Sequence, residues 1–105
     1  MFFYTVKCTF DGEQKEAVSA RWVKWLVDEH IADVVNAGAI GADIVRMDGD
    51  DLSYEIRYRF ENRSAFNSYE RDHAPRLRKL GLAEFPHELG LRYERTTGEV
   101  VKAAR

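Results

Sequence analysis

Strict alternation of apolar and polar side chains in three stretches constrains the fold of this chain more than any other feature of its sequence. The stretches are Phe2–Phe10, Leu52–Phe60 and the segment HELGLRYER, which begins at His87. A weaker apolar segment, AIGADIVRM, stands before the turn DGDD at residues 48–51. Because successive side chains of a strand point to opposite faces, we predict four half-buried strands, the second and third paired as a hairpin.

Two helical stretches separate these strands. The first is predicted from about Glu13 to Asn36, with Asp11 as its N-terminal cap and Gly38 closing it. Its apolar residues recur at helical spacing: Val18, Trp22, Trp25 and Leu26. Beyond Glu29 this apolar stripe rotates, so we expect His30 on the border between the two faces of the helix.

The second helical stretch is expected to begin after Asn62, a residue type that caps helices well. Pro75 lacks a backbone N–H and its ring clashes with the preceding turn, so we predict a kink or a fresh helical start immediately after His73. Gly81 is expected to close the helix. The scheme of an acidic residue, a histidine and a glycine eight residues after it thus occurs in both helical stretches.

The predicted order of elements is β-α-β-β-α-β, which forms a single α+β domain over residues 1–105. Right-handed crossovers place both helices on one face of a four-stranded antiparallel sheet. The open face carries acids and bases in balance, which suits water or a second copy of the chain: Thr5, Lys7, Thr9, Glu55, Arg57, Arg59, Glu88, Arg92 and Glu94. The tail from about residue 96 is expected either to extend the last strand or to fray.

The charge pattern gives no reason to expect a nucleic-acid or membrane partner. The net charge is −2 and the charges are interleaved, so the chain has no field that attracts polyanions. Strand aromatics lie on the face that the helices cover, which disfavours RNA binding. No apolar run reaches the roughly 20 residues of a membrane span, and the first residues do not resemble a signal peptide. The expected location is the cytoplasm.

Two segments of the helical stretches carry a family likeness. WVKWLVDEHIADVVNAG and YERDHAPRLRKLGL, set in a short βαββαβ chain, resemble the dimeric α+β barrel superfamily, whose fold is ferredoxin-like. Within that superfamily the chain looks most like a family of short bacterial proteins of unknown function. The likeness spans residues 2–95.

A second resemblance is to the EthD-like group, whose helices often read aromatic residue, three residues, histidine, one residue, proline. Tyr69, His73 and Pro75 match this spacing. In the first helix Trp25 stands five residues before His30, and no proline follows at the matching distance. The pattern usually marks the first helix of that group, so its position in the second helix is a departure.

The superfamily resemblance implies a homodimer in which the open sheet faces of two subunits pack together. It also implies a pocket between helices and sheet in each subunit. Relatives include cofactor-free monooxygenases, haem-degrading enzymes, isomerases and plain binding proteins, so the resemblance selects no single activity. We expect a homodimer that holds no cofactor.

The three histidines are the candidate functional residues. His30 and His73 occupy corresponding places in the two helical stretches and are candidate catalytic proton acceptors. The expected ligand-binding residues are Trp25, Tyr69, His87 and Tyr93. A histidine near a helix end also satisfies the last carbonyls, so a purely structural role stays open. No two histidines stand three or four residues apart, and no metal site is expected.

These observations favour a homodimer that binds a small organic molecule between helices and sheet. If it is an enzyme, we expect cofactor-independent acid–base or oxygen-dependent chemistry. The alternative is a non-catalytic binding or assembly module whose histidines only finish helices. A third hypothesis is a regulatory amino-acid-binding domain with a separate partner.

Overall fold

Four strands and their helical connections follow one another in the predicted order. The structure, a computed structural model, describes residues 1–104. The elements are β1 (Phe2–Phe10), α1 (Lys15–Trp25), a π turn (Leu26–His30), α2 (Ile31–Asn36), β2 (Gly41–Arg46), β3 (Leu52–Phe60), α3 (Arg63–Asp72), α4 (Ala74–Glu84), a 3₁₀ turn (His87–Leu89) and β4 (Leu91–Glu99).

The strands form one antiparallel sheet in the order β2-β3-β1-β4. Val6 of β1 lies between Ile56 of β3 and Arg95 of β4, and the neighbouring pairs follow from this register. Strands β2 and β3 pair as the predicted hairpin. The α+β, ferredoxin-like fold expected from the sequence is therefore confirmed.

Aromatic side chains dominate the core between the helices and the sheet. Phe60, Phe66 and Tyr69 pack ring to ring near one end of β1, with centroids 5.3 to 6.3 Å apart. Near the other end, the Phe10 ring lies 5.3 Å from that of Trp22 in α1. Each fully buried aromatic side chain stabilises the fold by about 1.5–3 kcal/mol. These contacts hold both helical connections on the same face of the sheet.

The start of α1 differs from the prediction. The helix begins at Lys15, and Asp11 does not cap it. Asp11 instead forms an ion pair with Arg92, with Oδ2 and Nε 2.8 Å apart, and its backbone N–H donates to the Gly90 carbonyl at 2.9 Å. A Cβ at Gly90, where φ is +92°, would lie 2.3 Å from the Asp11 carbonyl oxygen. This close contact with the turn before β4 holds Asp11 away from the helix, so the cap prediction is wrong.

A π turn explains why the apolar stripe of the first helical stretch rotates near Glu29. Between Leu26 and His30 the backbone takes a π-helical course, and the N–H of Ile31 donates to the carbonyl five residues back. One additional residue per turn moves the inward face of the helix. Leu26 is fully buried before the shift and Val34 after it.

The second helical stretch begins and breaks as predicted. The Oδ1 atom of Asn62 accepts from the backbone N–H of Ala65 at 2.8 Å, which caps α3. The helix ends at Asp72, and α4 begins at Ala74 with Pro75 in its first turn. The prediction for Gly81 is wrong, because α4 continues through it to Glu84. Gly81 instead faces the indole of Trp25.

The beginning of β4 also differs from the prediction, which placed His87 on the strand. His87 lies in the 3₁₀ turn, and β4 begins only at Leu91 after the left-handed Gly90. Pro86 supplies no backbone N–H, so a strand cannot pair regularly there. The tail extends the strand: residues 96–99 pair with the first residues of β1.

The sheet face away from the helices carries ion pairs across and along its strands. Arg59 Nη1 lies 2.9 Å from Asp43 Oδ2, and Arg57 Nη2 lies 3.0 Å from Glu55 Oε1. Phe3 adds an apolar side chain that is 36% exposed. Glu88 does not belong to this face as predicted, because it lies in the 3₁₀ turn.

Candidate functional site

A cavity of about 310 Å³ lies between the helices and the sheet. Its floor is formed by Val6 and Ile56, which face each other across β1 and β3. Rows of larger side chains surround this pair on the sheet, including the tyrosines at positions 4, 58 and 93. Gly81 of α4 contributes no side chain from the opposite wall. The cavity therefore forms where the medium-sized side chains of the sheet face a glycine of α4, with aromatic residues around them.

His30 enters the cavity wall through the π turn. Its ring stacks on that of Trp25, with centroids 4.4 Å apart and planes inclined by 17°. In a regular α-helix, residues five apart point about 140° away from each other. The π turn removes that divergence and makes the Trp25–His30 stack possible.

Burial keeps the His30 imidazole neutral at pH 7. Removal from water lowers its pKa from 6.5 to about 4, and the nearby Asp33 carboxylate opposes this only in part. A neutral imidazole has one N–H donor and one acceptor nitrogen. His30 can therefore accept a proton or a hydrogen bond from a molecule in the cavity.

Four tyrosines supply the polar groups of the cavity wall: Tyr4, Tyr58, Tyr69 and Tyr93. Burial raises the pKa of Tyr58 and Tyr69 and raises that of Tyr93 to about 12. These three hydroxyls are therefore protonated at neutral pH and can donate hydrogen bonds. The Tyr58 hydroxyl is buried without a hydrogen-bond partner among the protein groups of residues 1–104.

Two arginines reach the same cavity from different elements. Arg78 of α4 donates through Nη2 to both carboxylate oxygens of Glu70, at 2.5 and 2.9 Å, and to the Tyr4 hydroxyl at 3.2 Å. Arg95 of β4 lies with its guanidinium carbon 5.2 Å from the centroid of the Tyr93 ring. The cavity thus combines apolar walls with two cationic groups.

The structure brings most of the sequence-predicted residues together. One cavity is lined by Trp25, His30, Tyr69, His87 and Tyr93. His73 is not among its lining residues. It lies on a smaller depression of about 130 Å³ formed with α2, where its Nδ1 is 3.3 Å from Arg76 Nη2. The break before Pro75 takes His73 out of the helical course that would have turned it toward the sheet.

Sequence reasoning missed the two arginines and Tyr58. The alternation in β4 contained a signal for one of them, because Arg95 follows Leu91 and Tyr93 on the helix-facing side. A charged residue at a position where the pattern calls for an apolar one indicates a polar group directed into the core region. The alternation in Leu52–Phe60 predicts the correct face for Tyr58 but gives no sign of its unpaired hydroxyl.

Within residues 1–104, no group of three or more histidine, cysteine, aspartate or glutamate side chains is placed to hold a metal ion. In the same part of the chain, no helix is both long and apolar enough to cross a membrane.

A family model described as a domain of unknown function, DUF4286, matches residues 1–95. The chain belongs to this family. The family match covers nearly the same residues as the likeness expected from WVKWLVDEHIADVVNAG and YERDHAPRLRKLGL. A comparison with curated proteins finds no match.

Several solved structures share the fold of this DUF4286 protein. A dimeric ferredoxin-like protein from an uncultured marine organism has a TM-score of 0.72 at 12% identity, over 100% of this chain and 99% of the other. A protein provisionally assigned as an antibiotic biosynthesis monooxygenase from Deinococcus radiodurans has a TM-score of 0.70 at 14% identity, over 100% and 97%. A mutant of MhuD with two manganese protoporphyrin IX molecules bound per active site has a TM-score of 0.57 at 12% identity, over 98% of each chain. At identities this low, the likeness shows the fold alone.

Proposed function

We propose that this protein is a homodimer that binds a small organic molecule in the cavity between its helices and its sheet. The observation that carries the proposal is the cavity itself: about 310 Å³, walled by aromatic rings, with a few convergent polar groups. Ligand pockets typically have volumes of roughly 300–1,000 Å³ and this mixture of side chains. The porphyrin-bound MhuD structure gives one instance of a similar fold holding organic molecules.

If the protein is an enzyme, His30 is the group we assign as its proton acceptor. The stack on Trp25 fixes the ring, and burial lowers its pKa to about 4, so the imidazole is unprotonated at neutral pH. A base with so low a pKa is weak, so it would remove a proton only from an acidic donor, such as an electron-poor phenol or the carbon between two carbonyl groups. Protonated tyrosine hydroxyls beside it would stabilise the anion that forms.

The homodimer is proposed through the open sheet face. This face carries the balanced ion pairs and the partly exposed Phe3, and a small domain gains stability by covering such a surface. We expect light scattering at micromolar concentration to give twice the mass of the chain. Phe3→Glu should shift the mass toward the monomer, whereas Leu80→Glu, at an exposed apolar residue of α4, should not. A wild-type protein of monomeric mass would contradict this part of the proposal.

A non-catalytic assembly module is the second candidate, and the position of His73 favours it. This histidine lies outside the cavity, at the junction of α3 and α4, and its carbonyl accepts from the Leu77 N–H at 3.1 Å. Under this alternative both histidines only stabilise the ends of the helices, and neither affects the binding of small molecules.

Binding of small aromatic probes separates the two candidates. We would titrate the protein with benzoate, 2-naphthoate and indole-3-acetate and with their primary amides, following tryptophan fluorescence, since Trp25 and Trp22 line the cavity. The proposed function predicts that at least one compound binds to the wild type and about tenfold more weakly to His30→Gln. His73→Gln is the matched control and should bind as the wild type does. If no acid and no amide binds, the proposed function is wrong.

A further inference from the structure

Arg95 is a cation at the cavity without an acidic partner in the described chain. It stands on the helix-facing side of the edge strand β4, directly opposite Val6 of the cavity floor. Among residues 1–104, no carboxylate lies within ion-pair distance of its guanidinium group, whereas Arg78 is held by Glu70. The positive charge of Arg95 is therefore available to form an ion pair with an anionic group of a bound molecule.

The remaining lining residues do not neutralise this charge. The wall of the cavity is formed by aromatic and aliphatic side chains, the two arginines and two histidines, and no aspartate or glutamate of the described residues contributes to it. The Arg95 side chain is solvent-exposed, and on the side that faces the aromatic walls its charge acts through a lower effective dielectric constant than in bulk water. Its positive charge depresses the pKa of Tyr58, Tyr69 and Tyr93 against the larger opposing effect of burial, so its field extends across the tyrosine cluster.

Tyr58 provides the second, independent observation. It is 1% exposed, and its hydroxyl has no partner among the protein groups of residues 1–104. The Tyr4 ring stacks beside it at 5.7 Å, while the hydroxyl of Tyr4 is engaged by Arg78. A buried hydroxyl of this kind is rarely left unpaired, and Tyr58 is one of the residues that line the cavity, so a ligand oxygen can supply the missing partner.

From the uncompensated Arg95, the unpaired Tyr58 hydroxyl and the aromatic walls, we infer that the cavity recognises an aromatic organic acid. Arg95 binds the anionic group, and the Tyr58 hydroxyl donates a hydrogen bond to an oxygen of the ligand. The stacked Trp25 and His30 rings form a flat wall for the aromatic part. This inference rests on the proposed function and adds the chemical class of its ligand.

Comparison of each acid with its own primary amide tests the inference, because the pair differs in charge and hardly in shape. The dissociation constants of the three acids and three amides named above are measured for the wild type and for Arg95→Gln. We expect an acid to bind at least tenfold more tightly than its amide, and Arg95→Gln to remove most of that difference. Arg46→Gln is the matched control, since Arg46 is also exposed and helix-facing on an edge strand, but lies outside the cavity.

Tyr58→Phe supplies a second test that does not depend on a charge. It should weaken the binding of the acid several-fold and leave the mass measured by light scattering unchanged. It should not lower the thermal midpoint of the free protein, because only an unpaired hydroxyl is removed. Acids and amides that bind equally, with no effect of Arg95→Gln, would overturn the inference while leaving the proposed function intact. An Arg95→Gln variant that loses the dimer would also overturn it, because Arg95 would then serve the interface.

Discussion

The two helical connections share a sequence plan, yet they direct their histidines to different places. Glu29-His30 and Asp72-His73 occupy corresponding positions, each with a glycine eight residues after the histidine. In the first connection the helix stays continuous through a π turn, and His30 joins the cavity. In the second, the helix stops at Asp72, and His73 faces the depression beside α2.

The difference lies in how each helix accommodates its irregularity. The additional residue in the π turn changes the direction of the side chains while the backbone angles at both ends of the turn remain helical, so Trp25 and His30 meet face to face. Pro75 cannot be accommodated in this way, because it lacks an N–H and its ring clashes with the carbonyl of Arg71. The chain therefore starts a new helix there, and the residue at the break is released from the inward face. Similar motifs thus place similar residues in different environments.

The largest expected effect is a loss of stability when the buried leucine of either helical connection is truncated. Leu26 is 0% exposed and Leu77 is 1% exposed, and both reach the cavity wall. We expect Leu26→Ala and Leu77→Ala each to lower the free energy of unfolding by about 2–5 kcal/mol. Urea denaturation measures both, and Leu82→Ala, at a residue that is 42% exposed, is the control. A loss below about 1 kcal/mol for one of them would show that this connection is not anchored in the common core.

The next effect is a pH dependence of the stability that arises from His30 in the first connection. The pKa of His30 is depressed to about 4 in the folded chain, below the 6.5 of an exposed histidine. The unfolded chain therefore binds a proton first as the pH falls. The stability contribution of neutral His30 is complete above pH 6.5 and is lost as the pH falls toward 4, by roughly 3 kcal/mol.

The measurement is the free energy of unfolding of the wild type and of His30→Gln at several pH values between 7 and 4. The wild type should lose more stability than the variant over this interval. His73→Gln retains His30 and is the matched control from the second connection. Parallel curves for the wild type and His30→Gln would contradict the buried, neutral imidazole.

A smaller effect on stability is expected from the N-terminal caps, which differ between the first helices of the two connections. Asn62 caps α3 through its side chain, whereas the Gln14 side chain forms no cap bond with any residue from 1 to 104. Asn62→Ala should cost about 1 kcal/mol, and Gln14→Ala should change the stability by only a few tenths. Thermal denaturation of the two variants provides the comparison. Equal costs would mean that the Asn62 bond contributes no more than an exposed side chain.

The elements and their pairing could be predicted because they follow from local patterns. Each pattern depends on a few neighbouring residues: the strand alternation in Phe2–Phe10 and Leu52–Phe60, the helix cap at Asn62 and the helix break at Pro75. The limits of α1 and β4 could not be predicted, since Asp11, Arg92 and Gly90 meet only in the folded chain. The π turn was visible only as a rotation of the apolar stripe at Glu29.

The lining of the cavity could be predicted in part, because local patterns determine the face of a helix or strand on which a residue lies. Trp25, Tyr69 and Tyr93 follow from the faces of their elements. The separation of His30 from His73 could not be predicted, because it depends on whether each helix bends through a π turn or breaks. The role of Arg95 depends on which carboxylates come near it, and that is a property of the tertiary structure.

The central claim, that His30 and not His73 faces a ligand-binding cavity, is tested most directly by NMR of the histidine ring nitrogens. Two-bond nitrogen–proton spectra are recorded at pH 7 while 2-naphthoate is added, with His30→Gln and His73→Gln used to assign the signals. The account predicts that the His30 ring signals shift on addition and saturate, while those of His73 stay in place. Shifts of His73 with an unchanged His30 would contradict it.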